Sequence, residues 1–589
     1  MDSFKNYTNV IFSRRSFILV ALKCLFVFGL IIRLFFLQVL NSRAYRTLSE
    51  KNRIKFFLLE PKRGFIKDSK GVVLAENNVN YQLYFYKQLN KDYESSLNRV
   101  MNIFKLSQED RAEIHRIVKS SNYLYPVLIR DNLSWGQVTK IESSGRELEG
   151  AYVNKGYVRY YPMKRVLAHV LGYVGIPSSD EIAEYQLYHA SGFRIGKAGI
   201  EKLSNKDLIG EFGLKKVEVN AYREVIRDLG QESSVRGADV SITVNSELQQ
   251  YTYDLLKEHG SSAIVLDIKT GDVISLVSRP AFDPNLFSSP ITHQDWASIS
   301  KNKFHPLTNR VISQLYPPGS TWKIVTALAV MRAGINPEKT VFCPGFTHVG
   351  NKMYKCWKEH GHGHVDLKGA LRNSCNVYFY EMGIIAGIDN IHHIGNILGY
   401  GKKTGIQLQG EVSGINPSKE WKERVYSSKW LVGDTANSAI GQGYDLVTPI
   451  QLVNMIAAVA SGRKLVPNLY LDSSKIADGH DIHIPQEHLQ MIRNDLEEVF
   501  YHPSGSGYSI RIKEEEYRVA GKSGTAQVIS GDTVSSGSKQ VKSHSLFVGY
   551  APIHDPRYAV SVVAENAGWG MQTAAPIGVK ILYFAQTKI

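Results

Sequence analysis

Polar positions nearly vanish between residues 16 and 40, where 20 of 25 residues are apolar. At 1.5 Å per residue such a run matches a hydrocarbon core about 30 Å thick and predicts one transmembrane helix over 16–40. Lys23 and Arg33 interrupt it. Each would cost roughly 2.5–3.5 kcal/mol at mid-bilayer, but near the ends both can snorkel toward headgroups. The other reading is a cleaved signal peptide, with an apolar core of about 7–15 residues followed by small residues. Here Asn41-Ser42-Arg43-Ala44-Tyr45-Arg46 follows, which favours an uncleaved anchor. From 41 to 235 charged residues alternate with short strand-like runs and turn signals such as Asp68-Ser69-Lys70-Gly71. The texture then changes. Residues 240–244 alternate, 247–259 read as a helix stopped by Gly260, and 263–267 and 273–277 read as strands around the hairpin signal Lys269-Thr270-Gly271-Asp272. Near the end, 546–550 and 559–564 read as two more strands and 577–586 as a closing helix. Strands at both ends of a mostly helical stretch predict a mixed α/β domain whose sheet is completed by distant segments. The expected division is a tail at 1–15, the span at 16–40, an N-terminal module at 41–235 and a large domain at 236–589.

Composition narrows the class. Apolar residues make up 43% and charged residues 21% of the 589, the balance of a globular protein, which excludes disorder, collagen and coiled coil. The 70 Lys and Arg exceed the 55 Asp and Glu by 15. Ten of those bases against three acids lie in the first 60 residues, so nearly half of the excess lies in and around the span. That distribution fits a membrane-proximal end better than a nucleic-acid groove, and no run interleaves Arg with aromatics. Lys5, Arg14 and Arg15 precede the span while Arg43, Arg46, Lys51, Arg53 and Lys55 follow it. The positive-inside bias therefore does not orient it.

Three segments carry candidate chemistry. Ser320-Thr321-Trp322-Lys323 follows the chain break Pro317-Pro318-Gly319, at the expected start of a helix running to Met331 or Arg332. Between Trp322 and Met331 only Lys323 and Thr326 are polar, so the helix is predicted to be buried. Ser320 and Lys323, three apart, share a face. A desolvated lysine sheds its proton readily and can take one from the serine hydroxyl. Ser-x-x-Lys also occurs at Ser298, Ser300, Ser461 and Ser536, in polar or loop-like surroundings, where a cap and a surface lysine suffice. The second segment is Ser374-Cys375-Asn376, whose hydroxyl and amide can enter one cleft from a turn, or merely cap a helix. The third is Gly521-Lys522-Ser523-Gly524-Thr525-Ala526-Gln527. As a strand it would put Lys522 and Gly524 on one side; otherwise it is a solvated hairpin.

In this order the three segments are the signature set of penicillin-binding proteins and serine β-lactamases. With its gaps and length the chain resembles the class B penicillin-binding proteins, most closely the subfamily that serves cell elongation. Pro61-Lys62-Arg63-Gly64-Phe65-Ile66-Lys67-Asp68, Tyr161-Pro162, His169-Val170-Leu171-Gly172-Tyr173 and Gly196-Lys197-Ala198-Gly199-Ile200-Glu201 resemble stretches of that family's N-terminal region. Ala198 and Tyr222 stand where many relatives have serine and glycine. Phe282-Asp283-Pro284-Asn285, Gly361-His362-Gly363 and Gly441-Gln442-Gly443 are similar to landmarks of its catalytic domain. The resemblance implies a β-lactamase-like transpeptidase domain on an elongated α+β pedestal of the dimerisation type. It implies Ser320 as nucleophile, Lys323 as base, Ser374 and Asn376 as proton relay and donor clamp, and Lys522 as a tuning cation. Ser523, Gly524 and Thr525 would bind the donor's end, and the backbone N–H groups of Ser320 and Thr525 would form the oxyanion hole.

Cys343, Cys356 and Cys375 fall within 33 residues, with His360, His362 and His364 among them. Cys343, Cys356, His362 and Cys375 would make a closed Cys3His site, the pattern of structural zinc. Some relatives look as though they hold zinc here, with Asp in place of two cysteines. A Cys343–Cys356 disulfide and three reduced thiols are the alternatives. The implied function is a D,D-transpeptidase that cross-links peptidoglycan stem peptides from a lipid-linked precursor during elongation and is acylated by β-lactams. It would sit in the inner membrane with its N-terminus cytoplasmic and its catalytic domain periplasmic, beside a polytopic SEDS-type glycan polymerase. A D,D-carboxypeptidase or β-lactamase, and a non-catalytic scaffold or β-lactam sensor, stay open as alternatives.

Overall fold

The computed structural model describes residues 14–40, 53–87, 92–104, 106–120, 126–144, 148–178, 180–181, 193–219, 225–257, 260–472, 479–527 and 543–589. Most of the expected tail, the basic flank at Arg43, Arg46 and Lys51, Tyr222, and the Ser-x-x-Lys copy at Ser536 lie outside the described residues. The apolar N-terminal run is an α-helix, Arg14–Phe35, ending in a π-helical turn, Phe36–Leu40. Within it Phe17–Val39 is long and apolar enough to cross a bilayer, with no part of it buried.

Two compact units are present. The first comprises Met1–Pro61 and Glu211–Val235; among its described residues Ile54–Leu59 pairs with Gly213–Val219, which pairs in turn with Val225–Glu232. The second unit comprises Lys62–Gly210 and Arg236–Ile589. Its N-terminal portion is built on the long strand Val73–Phe85, paired with Ile66–Lys67, Val127–Arg130 and Ala151–Tyr160. Helices Tyr93–Met101, Gln108–Ser120 and Trp135–Ser144 bury Leu97, Val100, Met101, Val118, Val138 and Ile141 against Leu83, Phe85, Val127 and Ile129. Three of the family-like stretches meet in one network. The fully buried Glu201 carboxylate takes Arg159 Nε at 2.6 Å and Arg63 Nε at 2.7 Å, and Tyr161 Oη lies 3.3 Å away. Burial pushes the Glu201 carboxyl up, but the two guanidiniums outweigh it and hold the pKa below its ordinary value. The Tyr161 backbone is clamped at both N–H and C=O by the Asn285 side chain.

The large domain is organised on five antiparallel strands: β1 (Ser261–Asp267), β2 (Val273–Arg279), β3 (Ala520–Ala526), β4 (His544–Ala551) and β5 (Tyr558–Ala564). Their order is β2-β1-β5-β4-β3, so segments from both ends of the domain close one sheet. Every residue of β1 and β5 is buried, which is why they read as apolar runs. Alternation sends Ile264 and Leu266 into one core and Ala263 and Val265 into another. The first core holds helices α1 (Lys323–Arg332), α2 (Leu367–Asn373), α3 (Asn376–Ala386) and α4 (Pro449–Ser461); the second holds the C-terminal α5 (Ala574–Lys588). The helix expected over 247–259 is shorter, Ser246–Leu255. Leu256 turns extended and buries itself, and the Arg279 guanidinium donates to the carbonyls of Tyr253 and Leu256 at 2.8 Å each.

Candidate active site

Ser320 sits one residue past a left-handed glycine. Gly319 has φ +53°, and a Cβ there would lie 2.8 Å from the carbonyl oxygen of Thr525 on β3. Only glycine tolerates both the conformation and the approach. The Gly319 N–H donates to the carbonyl of Gly441 at 2.9 Å, and Thr321 Oγ1 to that of Pro318 at 2.7 Å. The α-helix does not begin at Ser320: Gly319–Trp322 is a 3-10 turn, and α1 starts at Lys323. From Thr321 to Met331 every residue is buried, while Ser320 itself is half-buried. The expected apolar helix is therefore present with Lys323 inside it.

Lys323 Nζ donates to Asn376 Oδ1 at 2.6 Å and to the Ser374 carbonyl at 2.8 Å, and lies 3.2 Å from Ser374 Oγ. The first two expected segments thus meet at one ammonium position. Burial lowers the Lys323 pKa to about 8, against the opposing pull of the Cys375 and Cys356 sulfurs. Ser374 ends α2 in the left-handed region, at φ +56° and ψ +42°; Cys375 is extended, and Asn376 opens α3. A non-glycine residue at positive φ is uncommon and is held there by its surroundings.

The third segment is the edge strand β3 rather than a solvated hairpin. Lys522 and Gly524 are buried, and Ser523 and Thr525 are half-buried on the other face. A Cβ on Gly524 would come within 2.9 Å of the Pro318 carbonyl oxygen and 3.0 Å of Thr321 Cγ2, so β3 lies directly against the turn that carries Ser320. Lys522 is fully buried, and its Nζ has no hydrogen-bond partner among the described residues. Burial, aided by the nearby Lys323 charge, holds its pKa well below the ordinary value. Thr525 Oγ1 accepts the Gly570 N–H at 3.1 Å. Lys323, Ser374 and Asn376 therefore meet, with Lys522 near Lys323 and Gly524 and the Thr525 backbone against the turn that carries Ser320, while Ser523 projects from the opposite face of β3 to Lys522.

Beside this site lie Cys343, Cys356, His362 and Cys375, with their donor atoms all within 4.8 Å of one another. His362 Nδ1 is 3.6 Å from Cys343 Sγ and 3.5 Å from Cys356 Sγ. All three are free thiols, so no Cys343–Cys356 disulfide is present. Hydrogen bonding from Cys375 and His362 holds the Cys356 thiol well below its ordinary pKa, while Cys356 and burial push that of Cys375 up. The cluster adjoins the site through the Asn376 N–H, which donates to Cys356 Sγ at 3.4 Å.

Residues 261–583 match the family model described as the penicillin binding protein transpeptidase domain, and residues 58–242 that of the penicillin-binding protein dimerisation domain. The chain belongs to the penicillin-binding proteins. Among relatives in this family, the peptidoglycan D,D-transpeptidase MrdA of Salmonella typhimurium is 33% identical, with 94% of this chain and 93% of that protein aligned. The MrdA of Escherichia coli K12 is 32% identical, with 97% and 94% aligned. Penicillin-binding protein 2 of Helicobacter pylori, solved in complex with MreC, superposes with a TM-score of 0.80 at 26% identity, covering 91% of this chain and 99% of that one. Penicillin-binding protein 2 of Pseudomonas aeruginosa, in complex with WCK 5153, gives 0.66 at 28% identity, covering 91% and 97%. The resemblance drawn from the motifs holds at family level and for the elongation-type subfamily.

Sequence reasoning passed over Trp357. Its indole lies 5.4 Å from the His362 ring and donates to the carbonyls on either side of the kink at Ser374. The available signal was its position directly after a candidate ligand, Cys356.

Proposed function

We propose that the chain is a serine-type peptidoglycan D,D-transpeptidase of cell-wall elongation. In this reading Ser320 Oγ attacks the carbonyl between the last two D-alanines of a donor stem peptide. Lys323 takes the hydroxyl proton and returns it through Ser374 to the departing D-alanine amine, with Lys522 tuning the site. The resulting ester is then attacked by an amine of a neighbouring stem, which restores the hydroxyl. Backbone N–H groups of Ser320 and Thr525 would stabilise the oxyanion; removing one such donor typically costs about 2.7–4 kcal/mol in the transition state. The donor chain would lie along the free edge of β3, its carboxylate held by Ser523 and Thr525. One observation carries the reading. A fully buried amine with a lowered pKa converges on Ser374 and Asn376, one turn from Ser320.

Cys343, Cys356, His362 and Cys375 fit a structural zinc ion. Zinc bonds of about 2.3 Å to sulfur and 2.0–2.1 Å to nitrogen put S and N ligands about 3.5 Å apart in a tetrahedron, and the sulfur-to-nitrogen distances here are 3.5 and 3.6 Å. Such an ion would brace the chain leading into Ser374 and Asn376 and supply no chemistry to the reaction. The anchor would place the N-terminus in the cytoplasm and the rest in the periplasm, where the substrate lies. The MreC complex of the H. pylori relative supports a partner of that kind, and the resemblance adds a SEDS-type polymerase in the membrane.

The decisive experiment is labelling with a fluorescent penicillin, together with transfer of the acyl group to an added amine. Wild type is expected to label and to transfer; Ser320→Ala is expected to do neither. Labelling that survives Ser320→Ala would sink the assignment.

A further inference from the structure

Ser374 is asked to do two things at once: end α2 in a left-handed conformation and present both its carbonyl and its hydroxyl to Lys323. Its own backbone does not favour the first. Local backbone bonds close that turn, the Cys375 N–H donating to the Ala370 carbonyl at 2.9 Å and the Ser374 N–H to that of Leu371 at 3.3 Å, and a side chain from elsewhere in the chain adds to them. Trp357 Nε1–H donates to the carbonyl of Asn373 at 3.1 Å and to that of Ser374 at 3.0 Å. The indole thus bridges the last carbonyl of α2 and that of the left-handed residue that follows it. The second of these is also the carbonyl that receives Lys323 Nζ at 2.8 Å. A carbonyl oxygen has two lone pairs, and at Ser374 one is taken by the lysine and the other by the indole.

Trp357 is itself well anchored. It follows Cys356, its ring packs 5.4 Å from that of His362, and its outer side meets Trp569 at 6.3 Å in an edge-on arrangement. Trp569 precedes Gly570, whose N–H holds Thr525 on β3. Trp357 remains 44% exposed. Burial of apolar surface alone therefore does not account for its position, and the bifurcated N–H contact is its most specific interaction.

We infer that Trp357 is a positioning residue for acylation: its indole N–H clamps the Asn373 and Ser374 carbonyls, and so aims the Ser374–Asn376 loop at Lys323. It touches neither the nucleophile nor the departing group. The inference rests on the transpeptidase reading of the site, which Ser320→Ala tests separately.

The test uses the full chain in detergent and resolves penicillin acylation into the noncovalent dissociation constant and the limiting acylation rate constant. Trp357→Phe keeps a ring against His362 and Trp569 and removes only the donor. It is expected to lower the limiting rate about tenfold, the effect of one lost hydrogen bond. The dissociation constant, melting temperature and bound metal should stay at wild-type values. Replacing Trp357 with benzothienylalanine, which puts sulfur in place of the N–H in a ring of nearly the same shape, should reproduce the loss and guards against a packing artefact. Trp569→Phe should leave the rate within twofold. An unchanged rate in both Trp357 variants overturns the inference. So does a loss accompanied by a lower melting temperature or lost metal, which would make the residue merely structural, or an equal loss in Trp569→Phe, which would make the pair a substrate-contacting wall.

Discussion

An ammonium placed where Lys323 sits has exchanged water for one amide oxygen, one carbonyl and one hydroxyl. Those acceptors do not fully replace hydration, so burial wins and the pKa falls to about 8. Lys522, with no partner among the described residues, is likewise driven well below its ordinary value. Only the neutral amine can accept the Ser320 proton. The acylation rate by penicillin should therefore fall as pH drops through about 8, close to tenfold per unit well below it, and level off above. Lys323→Arg, which cannot lose its proton, should cost about 10²–10⁴-fold at every pH. A rate independent of pH between 6 and 9 would remove Lys323 as the base. The burial was readable beforehand, because Trp322 to Met331 leaves only Lys323 and Thr326 polar. The left-handed turn at Ser374 was not, since the spacing of Ser374 and Asn376 says nothing about φ. Besides its own backbone bonds, that turn is met by an indole 17 residues upstream, brought in by tertiary packing.

Among the elements, the strands with continuous apolar character could be read from the chain: β1, β2, β4 and β5 lie where the apolar runs placed them, with the C-terminal α5 behind. Strand β3 was left open between strand and hairpin, and the reason is compositional. Ala-Gly-Lys-Ser-Gly-Thr-Ala has two glycines and no large apolar residue, so its strand state comes from pairing with β4 rather than from propensity. The small hairpins before α2 were also beyond reach. Val341–Cys343 pairs with Gly363–Val365, and Phe346–Val349 with Lys352–Lys355. Two-stranded ribbons of three or four residues are marginal alone, yet these carry or flank Cys343, Cys356 and His362. Backbone bonds set the convergence: the His362 N–H reaches the Cys343 carbonyl at 3.0 Å and the Cys356 N–H that of Gly345 at 2.8 Å. A bound zinc would hold them as one piece against the Asn376 end of α3. About one zinc per chain is expected in protein purified without chelator. Stripping it, or Cys343→Ser, should lower the melting temperature by about 5 °C or more and slow acylation. Metal analysis that finds none would end this reading.

At the scale of the molecule, the residues of the site, the cluster and Trp357 all belong to the unit formed by Lys62–Gly210 and Arg236–Ile589. The apolar helix belongs to the other unit, and its side chains from Phe17 to Phe36 are solvent-facing. A membrane is the natural solvent for such a surface, since burying one leucine-sized side chain is worth about 1.5–3 kcal/mol and more than a dozen are displayed. Chemistry and anchoring therefore separate, and a swap of the anchor tests both. Replacing residues 1–40 by a cleavable export signal should leave the chain soluble outside the cytoplasm, labelled by penicillin at a rate within twofold of the native chain. It should no longer support cell elongation if the proposed membrane-embedded polymerase holds the native chain by its anchor. The native chain, carrying an uncleaved anchor, should keep its full 66.1 kDa. A native chain shortened by some 40 residues would instead mark the helix as a signal peptide. A swapped chain that is exported and folded yet unlabelled would mean that the anchor takes part in shaping the site.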